Sequence, residues 1–300
     1  MAMKFHHTLC AAAILVAGMS TAWAADSAVT IKRGYVDNRY GQLHYQMASP
    51  TDAKAKLKTP LVLFHQTANT SKEFGNLIPE MGRDRIVIAV DTPGYGGSDG
   101  PNAIPTIEDY MGAVREGLKN LGYGPTKPID VMGYHTGAFT AIEFAIAEPK
   151  MIRRAVLSGV WLVPEERRLK AIANLARYNN SDEFFAWFAA SLPRLKQSQL
   201  AQTAGDAAWG DVIADSLRPL TKREYGHDAA FAWAAKLRAR APLITQPVLL
   251  MALNDGIRES TLESQPLFKK PTLADFPNLK EGAYFTAAPE IGASLRKFLD

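Results

Sequence analysis

The stretch Val131-Met-Gly-Tyr-His-Thr-Gly137 decides the fold of this 300-residue chain. The apolar run Ile129–Met132 predicts a β-strand, and a helical pattern extends from about Thr136 until Pro149 stops it. Glycines stand on both shoulders of the connecting turn, which we call the elbow (residues 133–137). A tight strand–turn–helix connection turns its central side chain outward, and the N–H groups at the start of the helix face a bound anion. The elbow therefore predicts a functional site centred on His135.

Short apolar runs alternate with helical patterns on both sides of the elbow. Unbroken apolar strands with helices between them indicate a parallel sheet that is covered by helices on both faces, so we predict an α/β fold. The predicted strands follow an N-terminal hairpin over residues 31–48 and are Leu61–Phe64, Ile86–Val90, Ile129–Met132, Ala155–Leu157, Val248–Leu253 and Ala283–Phe285. The predicted helices are near Ser71–Met81, Ile107–Leu121 and Thr136–Ala147, with a last one from Pro289.

Two other strand ends carry polar loops. The strand at Leu61–Phe64 runs into His65, Gln66 and Thr67, and a glycine-rich turn over residues 91–99 follows the next strand. Ligands of open α/β sheets bind in the crevice outside the carboxyl ends of the strands. We therefore expect these loops to meet the elbow on one side of the sheet.

Taken together, these three segments make the chain resemble the α/β-hydrolase fold of the capped type. The resemblance covers a core of residues 25–160 and 241–300, and it implies that the helical stretch 161–240 is a cap inserted between two strands. In that family the elbow normally reads G-x-S-x-G, whereas here it reads Gly133-Tyr-His-Thr-Gly137. The family's catalytic histidine precedes the last helix, but no histidine follows His227 in this chain. The elbow is similar to that of a bacterial branch with a G-x-H-T-G motif.

The resemblance implies an acid loop at Asn254-Asp255-Gly256, and an oxyanion hole formed by the backbone N–H of Thr136 with that of Gln66 or Thr67. Serine acyl transfer needs a serine beside a histidine base, and neither is in its usual place, so we do not infer that mechanism. Imidazole is largely neutral at pH 7 and can act as a base. We predict that His135 pairs with Asp255 and deprotonates water or a carbon acid. Direct attack by His135 remains open, as does a relic residue in a non-catalytic binding protein.

The other polar candidates have weaker patterns. His65 either supports its loop or contacts substrate, and we include it among the catalytic candidates. Tyr134 and Tyr284 are candidate proton donors, and Tyr134 is also assigned to substrate binding. Asp91 is predicted to form a turn and His44 to be structural. His227 is predicted to lie on the surface, with closure over the pocket as the alternative. The histidines lack metal-ligand spacing, and the chain has no P-loop or dinucleotide fingerprint. We predict no metal and no cofactor.

Composition and the N-terminus define the remaining expectations. The chain is 47% hydrophobic and 21% charged, as in globular proteins, and its formal charge of +4 is too diffuse to suggest nucleic acid. Residues 1–24 read as a signal peptide, with Lys4, a short apolar stretch and a cleavage site at Ala22-Trp-Ala24. Cleavage removes Cys10, the single cysteine. We expect a periplasmic or secreted protein that is not membrane-bound after cleavage; the oligomeric state stays open.

Aromatic residues concentrate in the predicted cap. All four tryptophans beyond the leader, Trp161, Trp187, Trp209 and Trp233, lie within residues 161–240. Much of this set must pack between helices, but a cap lies over the strand ends, so some rings should line a pocket. The predicted substrate is a small hydrophobic or aromatic ester, lactone or related carbonyl compound. The alternatives are a cofactor-independent lyase or isomerase with His135 as base, and a ligand-binding protein.

Overall fold

A computed structural model describes residues 28–175, 181–196, 214 and 225–300. The predicted signal peptide, with Cys10, lies outside the described residues, as does Trp209. The described part contains eight strands, which in chain order are β1 (Val29–Asn38), β2 (Gly41–Pro50), β3 (Lys58–Phe64), β4 (Arg85–Val90), β5 (Ile129–Tyr134), β6 (Ile152–Ser158), β7 (Val248–Asn254) and β8 (Pro271–Lys280).

The strands form one sheet in the order β1-β2-β4-β3-β5-β6-β7-β8. The β1–β2 and β2–β4 pairs are antiparallel, and the other neighbours are parallel. This order confirms the predicted α/β class, the mostly parallel sheet and the N-terminal hairpin. It also places the ends of β3, β5 and β6 side by side, so the loops that follow them face one crevice.

Helices cover both faces of the sheet. The described helices are α1 (Leu77–Met81), α2 (Ile107–Asn120), α3 (Thr136–Ala147), α4 (Glu165–Asn174), α5 (Ser181–Lys196), α6 (Tyr225–Ala234), α7 (Leu237–Arg240), α8 (Arg258–Glu263), α9 (Ala283–Thr286) and α10 (Ala288–Leu299). Successive residues of β3 enter two different cores: Val62 and Phe64 pack with α2 and α3, whereas Leu61 and Leu63 pack with α1 and α10. A strand buried on both faces must be apolar throughout, which explains the unbroken runs in the sequence.

The C-terminal end of the sheet differs from the prediction. Ala283–Phe285, predicted as a strand, lies in the short helix α9, and the last strand is β8. β8 is an edge strand that exposes many of its residues, so its sequence lacks an apolar run and tolerates Pro271 and Pro277. The prediction was wrong because it searched for doubly buried strands.

The predicted helix over residues 71–81 is also divided. A 3₁₀ turn at Ser71–Phe74 is separated from α1 by Gly75, which has a φ of 35°. A Cβ at Gly75 would lie 2.4 Å from the Phe285 ring, so only glycine allows this close approach. The division matters because it places Glu73 in a tight turn instead of on a long helix.

Between β6 and β7, the described parts of residues 161–240 contain the helices α4 to α7 and no strand. This agrees with the predicted helical insertion, although its role as a cap stays a prediction. Within the described ranges, no helix combines the length and apolar character needed to cross a membrane.

Candidate active site

The elbow has the geometry that its glycines suggest. His135 joins β5 to α3 with φ 50° and ψ −109°, and among the described residues it is the single non-glycine residue with positive φ. A Cβ at Gly133 would come within 1.9 Å of the Gly137 carbonyl oxygen, and one at Gly137 within 2.0 Å of the Phe64 carbonyl oxygen. Both shoulders must be glycine, and the chain holds His135 in a strained conformation of the kind found at functional sites.

The His135 ring reaches the predicted acid directly. Its Nε2 lies 2.9 Å from Oδ2 of Asp255, which immediately follows β7 and whose side chain is 1% exposed. The N–H of Ile257 donates to the other carboxylate oxygen at 3.2 Å. Gly159 provides the space for the ring, because a Cβ there would lie 2.3 Å from Cδ2 of His135. The predicted contact between His135 and Asp255 is confirmed.

This contact leaves one ring nitrogen of His135 available for chemistry. A carboxylate accepts a hydrogen bond, so we assign the proton of the neutral ring to Nε2 and the lone pair to Nδ1. Nδ1 has no partner among the described residues, and the His135 side chain is 24% exposed. The pair thus has the arrangement of an oriented base: one nitrogen is held by a buried carboxylate, and the other is open.

A cavity of about 260 Å³ opens beside His135. Its described lining is mainly apolar, and it consists of Gln66, Thr67, His135, Thr136, Phe139, Trp161, His227, Ala230, Phe231 and Ile257. Trp161 and Phe231 come from the predicted cap, as expected, and their rings are 4.8 Å apart. The predicted surface position of His227 was wrong: α6 places this half-buried residue in the cavity wall, which agrees with the alternative that it closes over the pocket. Trp233 is core: it is 1% exposed and packs 4.5 Å from Phe139.

The two predicted oxyanion donors from the loop after β3 are not equivalent. The backbone N–H of Gln66 donates to Oε2 of Glu73 at 3.0 Å and is therefore committed. The hydrogen bonds of the described residues leave the backbone N–H groups of Thr67 and Thr136 unclaimed, and both residues line the cavity. Thr67 is thus the available donor of the two.

His65 has a different environment from His135. Its Nδ1 lies 2.7 Å from the carbonyl oxygen of Gln66, and its Nε2 accepts the N–H of Thr92 at 2.8 Å. The side chain is buried, and the two contacts fix a neutral ring with its proton on Nδ1. Among the described contacts, the structure does not bring His65 to the cavity or to Asp255, and its geometry is that of a loop support.

The two tyrosines lie behind the site. Tyr134 packs beneath His135 with the ring centroids 4.1 Å apart, and it is buried and absent from the described cavity lining. The Tyr284 hydroxyl donates to Ser158 Oγ at 2.8 Å. Burial raises the pKa of both tyrosines well above the usual value. The structure therefore does not bring Tyr134, predicted to bind substrate, into contact with the cavity.

Asp91 holds the neighbouring loops together. It lies 2.7 Å from Nδ1 of His44 and accepts the N–H groups of Ser71 at 2.7 Å and Gly97 at 2.9 Å. Burial opposes ionisation, but the hydrogen bonds outweigh it and lower the pKa of Asp91 below its ordinary value. The predicted structural roles of Asp91 and His44 are confirmed.

Sequence reasoning missed Glu73. Its carboxylate accepts Gln66 Nε2 at 2.5 Å and Asn69 Nδ2 at 2.7 Å, in addition to the Gln66 backbone. Burial raises the pKa of Glu73 to about 8, although these three donors oppose the shift. No motif marks the residue, since a glutamate inside a predicted helix ordinarily belongs to a solvated face. In the described part of the chain, no group of three or more His, Cys, Asp or Glu residues is placed to hold a metal ion.

Comparisons with known proteins agree with this architecture. The family model described as Serine aminopeptidase, S33 (Hydrolase_4) matches residues 55–255. A curated relative, (E)-2-((N-methylformamido)methylene)succinate hydrolase of Acinetobacter baylyi, is 27% identical over 103 residues, which are 34% of this chain and 38% of the relative. The match thus spans well under half of that protein.

Among solved structures, the enol-lactonase of Burkholderia xenovorans superposes with a TM-score of 0.72 at 18% identity, covering 89% of this chain and 99% of the other. A hydrolase of Pseudomonas aeruginosa gives a TM-score of 0.71 at 18% identity, covering 89% and 98%. A Thermogutta terrifontis esterase gives 0.68 at 15% identity, also covering 89% and 98%. These likenesses establish a shared fold.

Proposed function

The chain belongs to the serine aminopeptidase S33 family of α/β hydrolases, and we propose that it hydrolyses a small hydrophobic or aromatic ester or lactone through His135. The observation that carries the proposal is the 2.9 Å contact between His135 Nε2 and the buried Asp255 carboxylate, beside a largely apolar cavity. This arrangement provides a base where family members of the usual pattern have a serine.

In the proposed reaction, Nδ1 of His135 removes a proton from water while the water oxygen attacks the substrate carbonyl carbon. The carbonyl oxygen becomes an oxyanion and accepts the N–H groups of Thr67 and Thr136. Asp255 stabilises the imidazolium that forms. When the tetrahedral intermediate collapses, the bond to the leaving oxygen breaks, and that oxygen takes the proton from Nδ1. The products are an acid and an alcohol, and the ring returns to its neutral form.

The cavity supports the proposed substrate class. Pockets for drug-sized ligands usually measure about 300–1,000 Å³, so a cavity of about 260 Å³ suits a smaller molecule. Phe139, Trp161 and Phe231 provide flat apolar walls on which an aromatic or alicyclic acyl group would pack. His227 is a further polar side chain of the described lining that would orient it, whereas the Gln66 amide is held by Glu73.

A panel of aryl esters and lactones tests the proposal on the purified chain without its leader. We expect turnover that H135A lowers by about 10³-fold and D255N by about 10²-fold or more, since general bases contribute 10²–10⁴-fold. D52N is the matched control for D255N, because Asp52 is exposed and is far from Asp255 in the sequence. Turnover that persists in H135A would remove His135 from the mechanism.

Two further measurements separate the alternatives. A serine-directed fluorophosphonate probe should leave the protein unlabelled, and labelling would contradict the assignment of the elbow. If Nδ1 attacks the carbonyl directly, an acyl adduct at His135 should appear by mass spectrometry after rapid acid quenching. Thermal stabilisation by a panel ligand without any turnover would favour the ligand-binding alternative.

The open Nδ1 also suits the removal of a proton from carbon. A lyase or isomerase would use the same His135–Asp255 pair and the same oxyanion donors to stabilise an enolate. Incorporation of deuterium from D₂O into recovered substrate, lost in H135A, would identify this reaction.

From the predicted signal peptide, we propose that the protein is exported. We also propose that its partner at the site is a small molecule. Cleavage after Ala24 predicts a mature N-terminus at Ala25, which intact-mass measurement of the protein from a periplasmic or culture fraction would detect. A protein that retains residues 1–24 in those fractions would contradict cleavage.

A further inference from the structure

We propose that Glu73 is a positioning residue that holds the loop after β3, and that its proton sets an upper pH limit on the activity. The inference rests on the proposed function, in which this loop supplies the Thr67 oxyanion donor. Glu73 does not line the cavity within the described chain, so it acts through Gln66 and Thr67 instead of touching the substrate.

Glu73 connects the ends of the loop. It accepts the backbone N–H of Gln66 at 3.0 Å, the Gln66 side chain at 2.5 Å and the Asn69 side chain at 2.7 Å. The Gln66 carbonyl shares a peptide plane with the Thr67 N–H; it lies 2.7 Å from His65 Nδ1 and accepts the Asn69 N–H at 3.0 Å. Glu73 holds Gln66 and Asn69, the residues on either side of this turn, and so supports the segment that carries the Thr67 N–H. The same contacts withdraw the Gln66 N–H from the oxyanion site and leave that role to Thr67.

Two carboxyl groups converge on the Gln66 side chain. Its Nε2 lies 2.5 Å from Oε1 of Glu73 and 3.5 Å from Oε1 of Glu281. Two carboxylates on one amide are like charges, and burial disfavours the charged form of Glu73 further. A proton on Glu73 removes this repulsion and leaves Oε2 to accept the Gln66 backbone N–H.

Protonation of Glu73 matters because the adjacent residue binds an anion. An oxyanion at Thr67 and an ionised Glu73 would be like charges near the same loop. Because like charges repel more strongly in a partly buried site than in water, ionisation of Glu73 would disfavour the oxyanion. A neutral Glu73 keeps the loop in place without this repulsion.

The groups around Glu73 favour the neutral form. The Glu281 carboxylate, from the turn after β8, raises the pKa of Glu73 further, and burial contributes the larger part of a shift to about 8. The charge of Glu73 also acts on Tyr134 of β5 and Tyr284 of α9, and both stay neutral because burial raises their pKa values well above the usual range. We therefore expect the Glu73 carboxyl to lose its proton between pH 7 and 9.

The pH profile of kcat/KM is the direct test. We expect wild-type activity to fall by up to about tenfold per pH unit above about pH 8 and then to level at the rate of the ionised form. E73Q should lack this alkaline limb, and E73A should be slower at every pH through kcat, because the loop loses its support. E281Q removes a like charge and should move the limb to lower pH. An unchanged limb in E73Q, or equal losses in E73Q and E73A, would overturn the proposal.

A second readout needs no turnover. If Glu73 holds a proton in the folded state, the unfolding equilibrium constant should rise about tenfold per pH unit from about 4.5 to about 8, and E73Q should remove that dependence. Benzoate is a carboxylate that can occupy the oxyanion site. Wild type should bind it more weakly above pH 8 than below, whereas its binding to E73Q should not weaken above pH 8. If both results appear without hydrolysis, the proposed function fails and the role of Glu73 stands. If hydrolysis appears but E73Q keeps the wild-type pH dependence of both stability and benzoate binding, the proposed function stands and the role of Glu73 fails.

Discussion

The ends of β3 and β5 each carry a histidine on neighbouring strands, and the two histidines are held in opposite ways. His65 after β3 is buried, with both ring nitrogens engaged by backbone groups. His135 after β5 has one nitrogen on a buried carboxylate and the other open beside a cavity. The comparison shows that position at a strand end does not assign a role. The role follows from which partners the ring nitrogens meet.

The largest expected effect is the loss of activity in H135A. Removal of the proposed base should lower kcat/KM by about 10³-fold. The ring is partly exposed, but its removal leaves the buried Asp255 carboxylate without this partner, so we expect urea unfolding to show a loss of about 1–3 kcal/mol. If H135A loses stability but keeps wild-type activity per folded molecule, His135 is a structural residue like His65.

A smaller loss of activity is expected from displacement of the His135 ring. G159A places a Cβ 2.3 Å from Cδ2 of His135, so the ring must move away from Asp255. We expect kcat/KM to fall by about 10²-fold, as misplacement of a catalytic group by about 1 Å can do. G122A is the matched control: Gly122 also has positive φ, at 84°, but a Cβ there meets nothing within 4 Å. Equal losses in both variants would trace the effect to backbone strain.

For His65 the comparison predicts an effect on stability instead. H65A removes a buried ring and leaves the N–H of Thr92 without its acceptor, which should lower the unfolding free energy by about 2–3 kcal/mol. Urea denaturation measures this. Activity per folded molecule should fall less than in H135A, and an H65A variant as inactive as H135A but fully stable would place His65 in the catalytic site after all.

The smallest effect concerns Asp91, which supports the same side of the site. Its pKa is lowered in the folded protein, so its contribution to stability is present above the ordinary carboxyl pKa of 3.8 and is lost as pH falls through the folded value. Between pH 5 and 3 we expect it to account for about 1 kcal/mol of lost unfolding free energy. D91N should be less stable at pH 7 and lack this part of the acid dependence. If the unfolding free energy of D91N fell between pH 5 and 3 as much as that of wild type, the prediction for Asp91 would be contradicted.

Much of the fold could be predicted from the sequence, because its signals are local. Strands β3 to β7 are buried on at least part of both faces, so they read as apolar runs. β8 could not be found this way, since an edge strand need not be apolar. The division between the 3₁₀ turn and α1 was also hidden, because Gly75 is needed for its contact with Phe285, which is distant in sequence.

The candidate site was predictable to a similar degree. His135 and Asp255 could be named because each follows a recognisable strand, and the 2.9 Å between them agrees with that prediction. Glu73 could not be named, because nothing in its surrounding sequence shows that Gln66 and Asn69 will converge on it. The separate roles of Gln66 and Thr67 depend on that same convergence.

The sequence by itself determined the α/β class, the strained glycine-flanked elbow and the histidine at its centre, since turns and buried strands impose their residue types locally. The tertiary structure alone decided which histidine faces the cavity, which backbone N–H stays free and which carboxylate is held away from water. These properties depend on hydrogen-bond partners supplied by other strands and loops. The energy of burying a charged or polar group depends on those partners and not on its neighbours along the chain.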